Sequence, residues 1–247
     1  MNKKIAVVSG AGRGLGEHIA RKLHAQGYKV CVADIDLEQA TTVATSLDAT
    51  GQTAMALSLD VRRKQDMIAA LDATELRWGG VSVLVNNAGQ SRVAALMEIT
   101  PEEFDDVVAI NMKGTFLACQ VFGKYFAEQK YGRIINIASL AGQTGGTATG
   151  AHYAASKGGV MTLTKVFARE LAAQGVTVNA ISPGPLDLPV VHQTVAADKL
   201  AGIIQTIPVK TLGDAGFIAD AVVMLASEQA SSMTGSCIDI NGGLFMR

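Results

Sequence analysis

Seven short apolar runs punctuate the chain, at residues 4–9, 29–34, 53–59, 82–86, 132–138, 176–182 and 237–240. They are rich in Val, Ile and Leu and barely alternate with polar residues. That is the pattern of strands buried on both faces of a parallel sheet. Between them, apolar residues recur at helical spacing over 15–26, 37–50, 64–77, 101–129, 153–173 and 214–227. This alternation predicts an α/β fold: a doubly wound parallel sheet of about seven strands with helices on both faces. No linker, charge block, low-complexity tract or internal repeat divides the chain, so residues 1–247 read as one domain. The least regular stretch is 183–208. Pro183, Pro185 and Pro189 stand close together there, so it is expected to begin neither as regular helix nor as inner strand. A loop of this size often covers a site, and 185–208 is the expected lid.

Composition narrows the class. Apolar residues are 49% of the chain and charged residues 17%, enough for a sizeable core and against intrinsic disorder. A formal net charge of −1 excludes a strongly basic nucleic-acid surface. No apolar run approaches the roughly 18 residues of a membrane span. The run that follows Lys3-Lys4 is too short for a signal segment. Cys31, Cys119 and Cys237 lie far apart in apolar segments and form neither a metal spacing nor a disulfide framework. A soluble, cytoplasmic protein without membrane or nucleic-acid partners is the expectation.

The first predicted strand ends in Ser9-Gly10-Ala11-Gly12-Arg13-Gly14-Leu15-Gly16, and a predicted helix follows. Such a turn lets backbone N–H groups approach a pyrophosphate, and the helix N-terminus adds partial positive charge. Glycine is needed where a side chain would block that approach. An ordinary tight turn is the competing reading; its place after the first buried strand favours a Rossmann-type dinucleotide site. The candidates here are Gly10, Arg13, Gly14, Leu15 and Gly16. The second strand ends at Asp34, eighteen residues beyond Gly16. A carboxylate there can accept hydrogen bonds from the adenosine ribose hydroxyls and would repel a 2′-phosphate. A charge-assisted hydrogen bond contributes roughly 1.5–3 kcal/mol, so a preference of about tenfold or more for NAD over NADP is expected. Arg13 pulls the other way, because it could pair with a 2′-phosphate. Asp34 is weighed more heavily: it is anchored at a strand end, whereas Arg13 can swing to solvent. Capping of the next helix falls to Asp36.

Tyr153-Ala154-Ala155-Ser156-Lys157 places a phenol and an ammonium four residues apart, on one face of a predicted helix. Small apolar flanks point to partial burial, against the competing reading of a surface pair. An adjacent positive charge favours the phenolate. Lowering the tyrosine by about two to three units would make it a useful acid/base at neutral pH.

With these residues in place, the sequence resembles the short-chain dehydrogenase/reductase family over essentially its whole length. The resemblance rests on Gly10-x-x-x-Gly14-x-Gly16, Asp60-Val61, Asn86-Asn87-Ala88-Gly89, Asn111, Ser139, Tyr153-x-x-x-Lys157, Pro183-Gly184 and Asn241-Gly242-Gly243. In texture the chain is closest to 3-oxoacyl-carrier-protein reductase-like members. Two positions depart from the family: Ser9 replaces a threonine but keeps a hydroxyl, and Leu188 replaces the threonine after the Pro-Gly turn. The loss at Leu188 removes one hydroxyl from the lid.

The resemblance implies roles. Tyr153 is the general acid for ketone reduction and the base for alcohol oxidation. Lys157 holds the nicotinamide ribose and depresses the tyrosine pKa. Ser139 hydrogen-bonds the substrate oxygen. Asn111 sits at a break in the long helix, with Gly114 nearby, where a freed carbonyl holds a relay water. Asp60 and Val61 flank the adenine and Asn87 lines the ribose. Gly89, Pro183 and Gly184 complete the cofactor set, and the backbone around Leu186 touches the carboxamide. For Asn111 and Ser139 a purely structural role stays open.

The substrate pocket is expected between 91–94, 143–152 and the lid. Its wall includes Gln143, Thr144, Gly145, Thr147 and His152, and His152 either faces substrate or packs. No arginine cluster points to a phosphorylated substrate. Lys130 and Arg133 are basic, as carrier-protein reductases tend to be beside the cleft, but Gln174 stands where another basic residue is common. The reading therefore favours a ketone/secondary-alcohol pair with NAD over a 3-oxoacyl thioester on a carrier protein or CoA. A non-catalytic dinucleotide sensor is the alternative of another class. An epimerase or dehydratase has little room here for its extra substrate domain. Apolar residues beyond one face of 153–173, among them Met161, Leu163, Val166 and Phe167, point to a core or interface helix. In the family such helices pair between subunits, which implies a homotetramer.

Overall fold

The computed structural model describes residues 4–146 and 149–247, with only the backbone described at Thr194. The first half runs β1 (Ile5–Ser9), α1 (Gly14–Ala25), β2 (Lys29–Asp34), α2 (Leu37–Leu47), β3 (Ala54–Ser58), α3 (Lys64–Trp78) and β4 (Val83–Asn86). Next come α4 (Pro101–Val108), a π-helical turn (Ala109–Lys113), α5 (Gly114–Gln129), β5 (Gly132–Ile137), α6 (Ala141–Thr144) and α7 (Ala151–Leu171). The chain closes with β6 (Val176–Pro183), α8 (Pro189–Thr194), α9 (Ala197–Thr206), α10 (Ala215–Ala226) and β7 (Cys237–Ile240).

The seven strands form one sheet in the order β3-β2-β1-β4-β5-β6-β7, every pair parallel. The doubly wound α/β sheet expected from the sequence is present. Successive residues feed opposite faces. Val8, Val30, Val32, Val83 and Val85 pack with α1, α2 and α10, while Val7, Cys31, Leu84 and Ile134 pack with α3, α5 and α7. Full burial of each such Val, Leu or Ile contributes about 1.5–3 kcal/mol. The continuous apolar runs therefore belong to the inner strands. β3 and β7, at the sheet edges, are only partly buried.

Strand order reverses between β1 and β4. That reversal leaves a crevice at their C-terminal ends, the general ligand position of such sheets.

Three sequence readings change. Pro183 was expected outside any inner strand, yet it is the last residue of β6, which lies between β5 and β7. It is tolerated because the ladder ends there, and its carbonyl still accepts from the Leu140 N–H at 2.9 Å. The irregular stretch carries two short helices, α8 and α9, with Pro189 opening α8, where a missing N–H costs nothing. The long helix expected over 101–129 is two helices joined by the π-turn that holds Asn111. No helix among the described residues is long and apolar enough to cross a membrane.

Candidate active site

The crevice beside β1 and β4 is a cleft of about 600 Å³. Its walls bring together Gly10, Arg13, Leu15, Gly16, Asp34, Asp60, Val61, Asn87 and Gly89. Backbone forms its floor. Gly10 has φ +63°, and a side chain there would come within 2.7 Å of the Ala88 Cα. A side chain at Gly16 would strike the Gly10 carbonyl. Asn87 ties the two turns together: its amide donates to the Ser9 carbonyl at 3.1 Å and to the Gly10 carbonyl at 2.9 Å. The Ser9 hydroxyl accepts from the N–H groups of Asn87 and Ala88, both at 3.2 Å, so serine does there what a threonine hydroxyl could do. No side chain caps the start of α1, whose first-turn N–H groups remain available to an anion. Gly14 opens that helix but does not line the cleft.

Asp34 is held by two backbone donors, Gly12 N–H at 2.9 Å and Asp36 N–H at 3.1 Å. Asp36, not Asp34, caps α2, accepting from Gln39 N–H at 3.1 Å. Arg13 is exposed at the lip. The backbone floor, the uncapped helix start and the fixed carboxylate fit a nicotinamide dinucleotide.

Tyr153 and Lys157 lie on the first turns of α7. Ser139 follows β5, and its hydroxyl stands near enough to the Tyr153 phenol to pull that group's pKa down. The Lys157 ammonium is buried, donates to the Ile137 carbonyl at 2.7 Å and sits 5.8 Å from the centre of the Tyr153 ring. Burial lowers its pKa to about 8. The expected depression of the tyrosine is not found. Burial raises the Tyr153 phenol above 10, and the Ser139 hydroxyl offsets this in part. The lysine charge is spent on a carbonyl rather than on the phenol oxygen. Asn111 is fully buried in the π-turn. Its amide donates to the Gln90 carbonyl and to the Ser156 hydroxyl, each at 3.0 Å, and its oxygen accepts from Gln90 N–H at 2.8 Å. Its own carbonyl accepts the Thr115 hydroxyl at 2.8 Å. Gly89 leaves just enough room for the Asn111 oxygen and the Lys157 ammonium beside it.

The residues expected to face substrate fare differently. Both ends of the Gln143 amide are occupied, its nitrogen donating to Asp239 at 2.6 Å and its oxygen accepting the Ser182 hydroxyl at 2.9 Å. His152 does not face the cleft; it is fully buried, with Nε2 3.1 Å from a Glu103 oxygen on α4. Thr147 lies outside the described residues. Pro183, Gly184 and Leu186 do not line the main cleft: Gly184 N–H donates to Ile240 at 2.9 Å, and Leu186 pairs with Gly213. Arg133 is not beside the cleft either. It is buried at the start of β5, where its guanidinium donates to the carbonyls of Ser227, Gly132, Gly175 and Glu228.

Sequence reasoning missed a charged strap across the outer wall. Arg62 clamps the Asp60 carboxylate with two nitrogens, at 2.9 and 2.7 Å, and reaches Asp106 on α4 at 3.5 Å. Asp106 also accepts from Arg92 at 3.2 Å. These bonds hold the Asp60 carboxyl below its ordinary pKa. The only signal in the sequence was Arg62 directly after Asp60-Val61.

Comparisons with known proteins identify the family. A family model described as Enoyl-(Acyl carrier protein) reductase matches residues 10–245. The 3-oxoacyl-[acyl-carrier-protein] reductase FabG of Staphylococcus epidermidis (strain RP62A) is 37% identical over 247 residues, 100% of both chains. The FabG of Escherichia coli (strain K12) is 36% identical over 243 residues and that of Staphylococcus aureus (strain Mu50) 38% over 246, each covering 98% of both chains.

Proposed function

The chain belongs to the short-chain dehydrogenase/reductase family, and we propose that it moves hydride between NAD(H) and a ketone/secondary-alcohol pair. The observation that carries this reading is the meeting of Ser139, Tyr153 and Lys157, with the Lys157 ammonium against Gly89 of a backbone-floored cleft that also holds a fixed Asp34. The nicotinamide supplies or accepts the hydride; the protein supplies position and protons. Tyr153 donates its proton to the carbonyl oxygen as the alcohol forms. A phenol held above its ordinary pKa stays protonated at neutral pH, which suits reduction. Ser139 hydrogen-bonds the same oxygen and steadies its developing charge. Lys157 holds the nicotinamide ribose, and Asn111 fixes the Gln90 backbone and Ser156 around that lysine. Asp34 accepts from the adenosine ribose hydroxyls.

A second reading, reduction of a 3-oxoacyl thioester, is supported by the full-length relatives named FabG. Within it, CoA is favoured over a carrier protein, because Arg133 is enclosed by carbonyls and offers no charge to an acidic partner. Residues 185–208 act as the substrate lid, and a cytoplasmic homotetramer pairs through α5 and α7. Nothing supports the non-catalytic sensor, since Tyr153 and Lys157 stand together.

The test is a turnover screen of ketones, including acetoacetyl-CoA, with NADH and NADPH. NADH is expected to be preferred about tenfold, from one charge-assisted bond at Asp34. Asp34→Ala is expected to erase that preference. A wild type that prefers NADPH would overturn the NAD reading.

A further inference from the structure

Three residues of the turn before Tyr153 and its surroundings are fixed by one helix that carries no catalytic group. Thr100 caps α4, accepting from the Glu103 N–H at 3.2 Å. In a capping box the Glu103 carboxylate would turn back to the Thr100 N–H. Here it points outward to His152 Nε2, at 3.1 Å. Three residues further on, and so on a neighbouring position of the same helix face, Asp106 accepts from Arg92 at 3.2 Å. The Arg92 carbonyl in turn accepts from Gly150 N–H at 2.9 Å. Gly150 precedes α7 directly, and a side chain there would collide with the His152 imidazole. Glu103, His152, Gly150, Arg92 and Asp106 thus close a ring that begins and ends on α4.

His152 is fully buried, and among the described residues its Nδ1 has no hydrogen-bond partner. A buried polar atom left unpaired costs about 1–3 kcal/mol, so stability alone does not account for a histidine here. The ring does hold the backbone of the residue before Tyr153 at a set distance from α4. We propose that Glu103 and His152 are positioning residues, which set the first turn of α7 so that the Tyr153 phenol meets the Ser139 hydroxyl. This rests on the catalytic reading given above. Neither residue touches the reacting atoms; both act through the backbone of α7.

The experiment uses the full chain with NADH and acetoacetyl-CoA. His152→Ala and Glu103→Ala are each expected to lower kcat about 10- to 100-fold, the scale of a misplaced catalytic group, with KM for NADH unchanged. The double variant is expected to be no worse than either single one, because each breaks the same bond. His152→Gln, whose amide nitrogen can replace Nε2 toward Glu103, is expected to recover most of kcat. The primary isotope effect with deuterated NADH is expected to rise in the Ala variants, as hydride transfer becomes more rate-limiting. A fluorotyrosine spectrum provides a readout free of turnover. The chain has four tyrosines, and the Tyr153 signal is assigned with Tyr153→Phe. That signal is expected to shift in both Ala variants and not in Val222→Ala, a core control on α10. Unchanged kcat and an unmoved Tyr153 signal in Glu103→Ala would overturn the proposal. So would a loss that Val222→Ala reproduces at equal thermal stability. If the wild type itself neither binds NADH nor turns over, the catalytic reading falls instead, and the fluorine signal still decides the ring.

Discussion

At the residue scale, Lys157, the lysine proposed to hold the nicotinamide ribose, carries a cost in stability. Its ammonium is buried and has a carbonyl partner but no carboxylate, which brings its pKa from 10.5 to about 8. The unfolded chain therefore binds this proton more tightly than the folded one. Between pH 8 and 10.5 the unfolded state holds the proton that the folded state has lost, so stability rises with pH across that window. Below pH 8 the full cost of a buried charge applies. Lys157→Met removes the charge and keeps the volume, at the cost of one hydrogen bond to Ile137. It is expected to gain about 1–3 kcal/mol at pH 7, with the gain shrinking toward pH 10, while turnover is lost. Thermal unfolding of both proteins across that pH range checks this; a Met variant less stable than wild type at every pH would contradict it. Asp34 is the converse case. Two backbone N–H groups hold its carboxylate in place, so little further ordering would be required for it to accept hydrogen bonds from a ligand hydroxyl.

At the element scale, the short helix α6 links Ser139 to α7. Gly142 sits where α6 crosses α7, and a Cβ there would come within 2.5 Å of the Gly158 nitrogen and 2.6 Å of the Lys157 carbonyl carbon. Gly142→Ala is therefore expected to push α6 and Ser139 away from Tyr153. Overpacking of this kind costs about 1–3 kcal/mol, and turnover should fall at least about tenfold. Unfolding and turnover measurements on the variant decide it; a variant like wild type in both would show that α6 moves freely. Legibility in the sequence follows the range of the contact. The glycine turn, Asp34 at a strand end and Tyr153 with Lys157 are short-range patterns, so spacing alone exposes them. Gln143 was expected on the substrate wall and His152 either there or packed; their partners, Asp239 and Glu103, lie 96 and 49 residues away, beyond the reach of local spacing. The raised Tyr153 pKa escaped because its main cause is burial, which depends on packing that local spacing does not show. A break at Asn111 was expected from the resemblance, with Gly114 beside it, but not that a π-turn would separate two helices there.

At the scale of the whole molecule, the sheet was readable because apolar runs and helical stretches alternate, and right-handed crossovers leave few orders to choose from. The reversal between β1 and β4 then locates the cleft without reference to any motif. Outside the sheet, α5 and α7 leave Phe116 and Val166 exposed beside Phe167, whose ring is 5.9 Å from that of Phe116. If these helices pair between subunits, Val166→Glu places a charge in an apolar contact. It is expected to dissociate the assembly without unfolding the chain, and light scattering reads the mass; an unchanged mass would remove α7 from the interface. The central claim is that the Tyr153 phenol exchanges a proton at the carbon–oxygen bond whose carbon exchanges hydride. The most direct measurement is NADH oxidation by Tyr153→Phe beside wild type, with NADH binding followed by its fluorescence in the same samples. Binding retained with turnover reduced at least about a thousandfold is the predicted result. Turnover within a few-fold of wild type would contradict the account.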